Sequence, residues 1–130
     1  MKEEKTNFNE DSILNEKSLI ENKIDYNKYY LVNDNALYKI LIWKKKSKTD
    51  IKIVFNYKSG DYTDNFTFNN IINLTKIKFD TIDKAYEYLI NIFEECNVRI
   101  KEITEKSKTI KLCLKKNDKE FDITLNKHVQ

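Results

Sequence analysis

The residues with the clearest chemical potential are cations set beside aromatics. Lys44, Lys45, Lys46 and Lys48 follow Trp43, and Tyr57 and Lys58 close the next apolar stretch. Lysines can track a phosphate backbone while rings stack on bases. Segment 44–58 is therefore a candidate polyanion site for a sequence-tolerant nucleic-acid-binding accessory protein. The same charges would suit an anionic membrane or an acidic protein surface. At a hairpin tip they also discourage edge-to-edge aggregation. Trp43 ends the continuous apolar run LYKILIW, which reads as core rather than as a stacking platform.

Base-specific readout is disfavoured. The chain has 23 lysines but one arginine, Arg99, and only arginine offers a planar fork matching two acceptors at once. The 16 Asn and 17 Ile, with one Gly and no Pro, match an AT-rich coding bias that inflates lysine without any polyanionic partner.

A second candidate is the tyrosine group Tyr26, Tyr29 and Tyr30 with Leu31, in the run YNKYYLV. Tyrosine presents a large amphipathic area on two rotatable bonds, which suits a protein-binding surface. The same run also reads as an extra strand or lid, and a lid at a sheet edge is itself a docking place.

Catalytic material is sparse. Asp83 and Glu87 share a helical face and would serve a carboxylate-dependent enzyme or inhibitor. No histidine accompanies them, and acids near a helix start follow from the macrodipole alone. Cys96 and Cys113 fall in apolar patterns, and the one histidine, His128, lies near the C-terminus. Zinc-ligand spacing is absent, so no metal or cofactor is expected. With one glycine, neither phosphate-binding glycine loop can be written.

These residues need elements to hold them. The 130-residue chain fits one domain. Residues 1–25 are polar, with Ile13, Leu14, Ile20 and Ile24 on one rough helical face and Leu19 off it. A mobile arm is expected there, followed by a single α+β domain over 26–130. Leu37–Trp43 reads as a strand buried on both faces, and Ile51–Tyr57 as its half-buried antiparallel partner. Gly60 marks a turn, and a third strand is expected at Tyr62–Phe66. Thr67 can cap a short helix over 68–75. Asp80 or Thr81 can cap a longer one to about Cys96, whose apolar stripe runs through Ile82, Ala85, Tyr86, Leu89, Ile92, Phe93 and Cys96. Asn97 would stop it.

Strands are then expected at Val98–Thr104, Thr109–Lys115 and Glu120–Leu125, the last two joined by a tight turn at Asn117-Asp118. The order β-β-(β)-α-α-β-β-β implies antiparallel sheet with one long amphipathic helix packed on it. No internal repeat is present.

Net charge is +3 but alternates by block: −3 over 1–36, +6 over 37–60, −4 over 61–96 and +4 over 97–130. No run is long and apolar enough for a membrane span. No signal or transit pattern opens the chain, so a cytoplasmic or nuclear-type reducing compartment is expected. The expected function is a small non-enzymatic protein-interaction or assembly module, with a protein partner or a second copy as its ligand. Nucleic acid is the alternative partner.

Overall fold

The computed structural model describes residues 10–46, 49–58 and 60–129. The expected antiparallel α+β architecture is observed, with more strands than the sequence suggested. Four strands precede the helices: β1 (Asn27–Asn33), β2 (Ala36–Lys44), β3 (Asp50–Tyr57) and β4 (Gly60–Thr67). Two helices of the central pair follow, α2 (Phe68–Thr75) and α3 (Ile82–Glu94). Strands β5 (Val98–Thr104), β6 (Thr109–Lys116) and β7 (Lys119–Lys127) end the fold, and the short helix α1 (Glu16–Glu21) precedes it all. One seven-stranded sheet has the order β1-β2-β3-β4-β7-β6-β5. It curls almost into a barrel, with β1 and β5 as its two unpaired edges.

The added strand is β1, the tyrosine run, for which the extra-strand reading is the one observed. It pairs with β2 through a two-residue turn in which Asp34 and Asn35 have φ of 52° and 64°. Those left-handed values define the hairpin turn whose twist matches its strands, and Asn and Asp are the non-glycine residues that tolerate them.

The inner face carries the main core. Tyr38, Ile40 and Ile42 of β2, Ile51, Ile53 and Phe55 of β3, and Ile110, Leu112 and Leu114 of β6 meet Phe121, Ile123 and Leu125 of β7 there. Ala85, Leu89, Ile92 and Phe93 of α3 fill the centre. Phe93 stacks on Tyr29 of β1 at 5.6 Å, so α3 sits where the two sheet edges approach each other.

The helix ends obey local chemistry. Thr67 and Asn70 form a reciprocal capping box on α2, and Thr81 caps α3. At the far end of α3, the Cys96 N–H donates to the Phe93 carbonyl (3.1 Å) and the Asn97 N–H to the Ile92 carbonyl (3.0 Å). This is a Schellman ending, and its left-handed position falls on Cys96 (φ 59°), one residue before the expected stop. Glycine normally occupies that position because a Cβ there is strained. Cys96→Gly is therefore expected to stabilise the domain by about 0.5–1 kcal/mol, the relieved strain outweighing the entropy gained by the unfolded chain. A raised denaturant midpoint at unchanged slope would show it.

Residues 10–25 depart from the expected mobile arm. A single 3-10 turn (Glu10–Ser12) and α1 lie against the outer face of β2 and β3. Ile13, Leu19 and Ile24 form a second apolar cluster there with Leu41, Trp43 and Val54. The expected helical face is also revised: Leu19 is 0% exposed, whereas Ile20 is 61% exposed. The part of the expected arm before Glu10 lies outside the described residues.

Candidate interaction surface

Parity along the strands decides which candidate residues are free. In β2 the outward set is Leu37, Lys39, Leu41 and Trp43, and in β3 it is Lys52, Val54 and Asn56. Trp43 is fully buried beneath the N-terminal segment, and its Nε1–H donates to Glu10 Oε2 at 2.9 Å. A ring sealed and hydrogen-bonded in this way offers no face to a base.

The neighbouring lysines are engaged as well. Lys44 pairs with Asp83 of α3 and lies over the Tyr86 ring, 5.5 Å from its centroid. Lys45 pairs with Asp11 at 2.6 Å and approaches Asp50 at 4.0 Å. The Lys46 ammonium donates to the Asn22 carbonyl (3.2 Å) and its backbone N–H to Glu10 (3.1 Å). Lys48 lies outside the described residues. Tyr57 belongs to an inner aromatic group, with Tyr38 at 4.7 Å and Tyr62 at 6.2 Å between ring centroids. Lys58 covers the Tyr57 ring at 5.7 Å.

The lysines do not gather at one end of the sheet. Following the antiparallel register, the β2–β3 connection and the β6–β7 turn share one end, whereas residues 105–108, between β5 and β6, lie at the other. Lys44–Lys46 therefore share an end with Lys116 and Lys119 but not with Lys106 and Lys108. Lys116 in turn reaches Asn91 (3.2 Å) and Glu95 (3.9 Å).

The tyrosine group divides. The Tyr26 hydroxyl donates to Glu16, a carboxylate that also meets Lys28 at 3.0 Å and Lys39 at 3.5 Å. Those partners hold the Glu16 carboxyl down at about 2, the Tyr26 hydrogen bond contributing most. Tyr29 points inward, where burial, then the charge of Glu94, pushes its hydroxyl up to about 12. Leu31 is half-buried against the inner core. Tyr30 faces out.

Two features emerge from these placements. One is a cleft of about 680 Å³ that brings Tyr26 together with Lys44, Lys45 and Lys46 beneath the connection from α1 to β1. Sequence reasoning had treated these residues as separate sites. The other is an apolar patch on the outer face, formed by Tyr30 (52% exposed), Val32 (68%) and Leu37 (63%). Val32 and Leu37 are direct cross-strand partners, and Tyr30 is two residues along the same row, so the three side chains are neighbours. Val32 and Leu37 were not singled out in the sequence. Their signal is their position two and seven residues from Tyr30 across a Asp-Asn turn, legible once β1 is read as a strand.

Among the described residues no His/Cys/Asp/Glu group is arranged to hold a metal, and no helix is long and apolar enough to cross a membrane. The structure thus defines a small domain of antiparallel α+β architecture bearing an exposed apolar patch. No family model matches the chain, and neither a curated protein nor a solved structure matches it.

Proposed function

We propose that the protein is a non-enzymatic interaction module that binds a protein partner through the outer face of the β1–β2 hairpin. The observation that carries this reading is the contiguous patch of Tyr30, Val32 and Leu37, three large apolar side chains left uncovered in neighbouring positions. Exposed apolar clusters rimmed by polar residues mark association sites. Lys28 and Lys39 supply such a rim.

The polyanion reading draws less support. Its aromatic platform, Trp43, is buried, and Lys44 and Lys45 already hold carboxylates. The carboxylate-enzyme reading draws less still, because Asp83 is tied to Lys44.

The test is a Val32→Glu, Leu37→Glu double variant. Both positions are exposed, so thermal stability is expected to stay within about 0.5 kcal/mol per site. Quantitative affinity purification should recover at least one protein tenfold less with the variant, or sedimentation should show loss of self-association. Equal recovery of every protein, together with unchanged sedimentation, would refute the proposal.

A further inference from the structure

The outer face of β2 and β3 has an occupant already. Leu41, Trp43 and Val54 are covered by Ile13, Leu19 and Ile24 of the chain's own segment 10–25. The polar contacts around this apolar contact have a consistent sense, with anionic or carbonyl oxygens on the segment and donors on the sheet. Glu10 accepts from Trp43 and from the Lys46 backbone, Asp11 from Lys45, and Glu16 from Lys28 and Lys39. The Lys52 ammonium, only 3% exposed, donates to the Asp11 carbonyl at 2.9 Å. Asn56 Nδ2 donates to the Leu14 carbonyl at 3.1 Å. The sheet therefore presents a basic, apolar-floored surface, matching the +6 block of the sequence, to an acidic amphipathic segment from the −3 block.

That segment packs on the sheet as a short separate unit. Among the described residues, three buried apolar side chains anchor it, Ile13, Leu19 and Ile24, with Leu14 half-buried beside them. It joins β1 through residues 22–26, where Lys23 adopts a left-handed φ of 56° and where the large cleft undercuts the chain. Release would also return the buried Lys52 to water, recovering the desolvation that lowers its proton affinity. The uncovered patch of Tyr30, Val32 and Leu37 continues the same face beyond Leu41.

We infer that residues 10–25 are an intramolecular occupant of a docking face, displaced in trans by an acidic amphipathic segment of a partner protein. Such a segment would carry aliphatic anchors for the floor of Leu41, Trp43 and Val54. It would carry carboxylates for Lys45 and for the Lys28–Lys39 pair. This inference rests on the outer face being an interaction surface and extends that surface to its covered part.

The probe is a synthetic peptide of residues 10–25, added to the full chain carrying Leu19→Asp. Trp43 is the chain's one tryptophan, so its emission reports cover directly. The variant should red-shift that emission while keeping the far-UV signal of the sheet. The peptide should reverse the shift at saturation. It should bind at least tenfold more weakly to the unsubstituted chain, where the resident segment competes. A peptide with Glu10, Asp11 and Glu16 changed to Lys should also bind at least tenfold more weakly. Failure of the peptide to restore the blue shift, or equal binding of the charge-reversed peptide, overturns the inference.

Should Leu19→Asp unfold the sheet, hydrogen exchange on the unsubstituted chain decides. The amides of Asn22, Lys23 and Ile24, bonded within the segment, should exchange at least tenfold faster than the β2–β3 ladder. Exchange at one common rate would overturn separate release and the inference with it. The two readings fail separately: partner recovery by the Val32→Glu, Leu37→Glu variant tests the uncovered patch, and restoration of Trp43 emission by the peptide tests displacement.

Discussion

Trp43→Ala is expected to destabilise the domain by about 3–5 kcal/mol, the range for truncating a fully buried aromatic to alanine. Trp43 is 0% exposed and forms the floor on which Ile13, Leu19 and Ile24 pack. Its removal leaves a cavity between the sheet and the N-terminal segment and also strips the Glu10 carboxylate of its Nε1–H donor. Trp43→Phe separates these losses. It keeps most of the volume and should cost about half as much or less, mainly through the missing hydrogen bond. Urea unfolding of the three proteins measures both. A Trp43→Ala cost within the range of an exposed substitution, about 0.5 kcal/mol, would mean that the indole contributes nothing to the core and that the outer-face packing is wrong.

The second large effect is expected on acidification. Glu16 is held down at about 2 by the Tyr26 hydroxyl, then Lys28. Asp11 is lowered chiefly by Lys45, and Asp122 by Lys101. Each carboxyl therefore has a lower pKa folded than unfolded. The stability they contribute is fully present above about pH 5 and is lost as protonation of the native state proceeds toward about pH 2. The melting temperature should fall steadily across that interval, with Trp43 emission moving red because Glu16 and Asp11 both fasten the segment covering it. Glu16→Gln should lower stability at neutral pH and flatten the acid slope. An identical slope in the variant would remove Glu16 from the account. At the alkaline end the sign reverses. Tyr29, raised to about 12 mainly by burial, keeps its proton longer when folded, so stability should also decline above about pH 10.

What could be read from the sequence tracks how local each determinant is. The stripe of α3 and the alternation of β6 and β7 are single-period signals within one element, and the Thr67 cap spans four residues. Strand β1 is ambiguous because Tyr29 and Tyr30, two of its four apolar or aromatic residues, are equally at home in a strand and at an interface. The N-terminal segment was misread for a different reason. Ile13 precedes α1, Leu19 lies within it and Ile24 follows it, so the three anchors share a face only after the chain bends at Asn15 and Lys23. No helical period contains them.

The lysine cluster shows the same boundary from the side of charge. Its partners Glu10, Asp11 and Asp83 lie more than 30 residues away in the chain. A run that looks like free cationic surface in one dimension is largely spoken for in three. The apolar patch, conversely, becomes visible only when the Asp34-Asn35 turn sets Val32 opposite Leu37.

The left-handed turns of this chain have a wider meaning. Besides Cys96, the residues Lys23, Lys76 and Lys108 hold positive φ without the short polar side chain that eases it. Glycine, with guanine-rich codons, is what an AT-biased gene supplies least. The scarcity of glycine thus shows in backbone strain, with lysines standing at left-handed positions. These positions form a reserve of stability that adaptation or engineering can reach one codon at a time, without disturbing a single core contact.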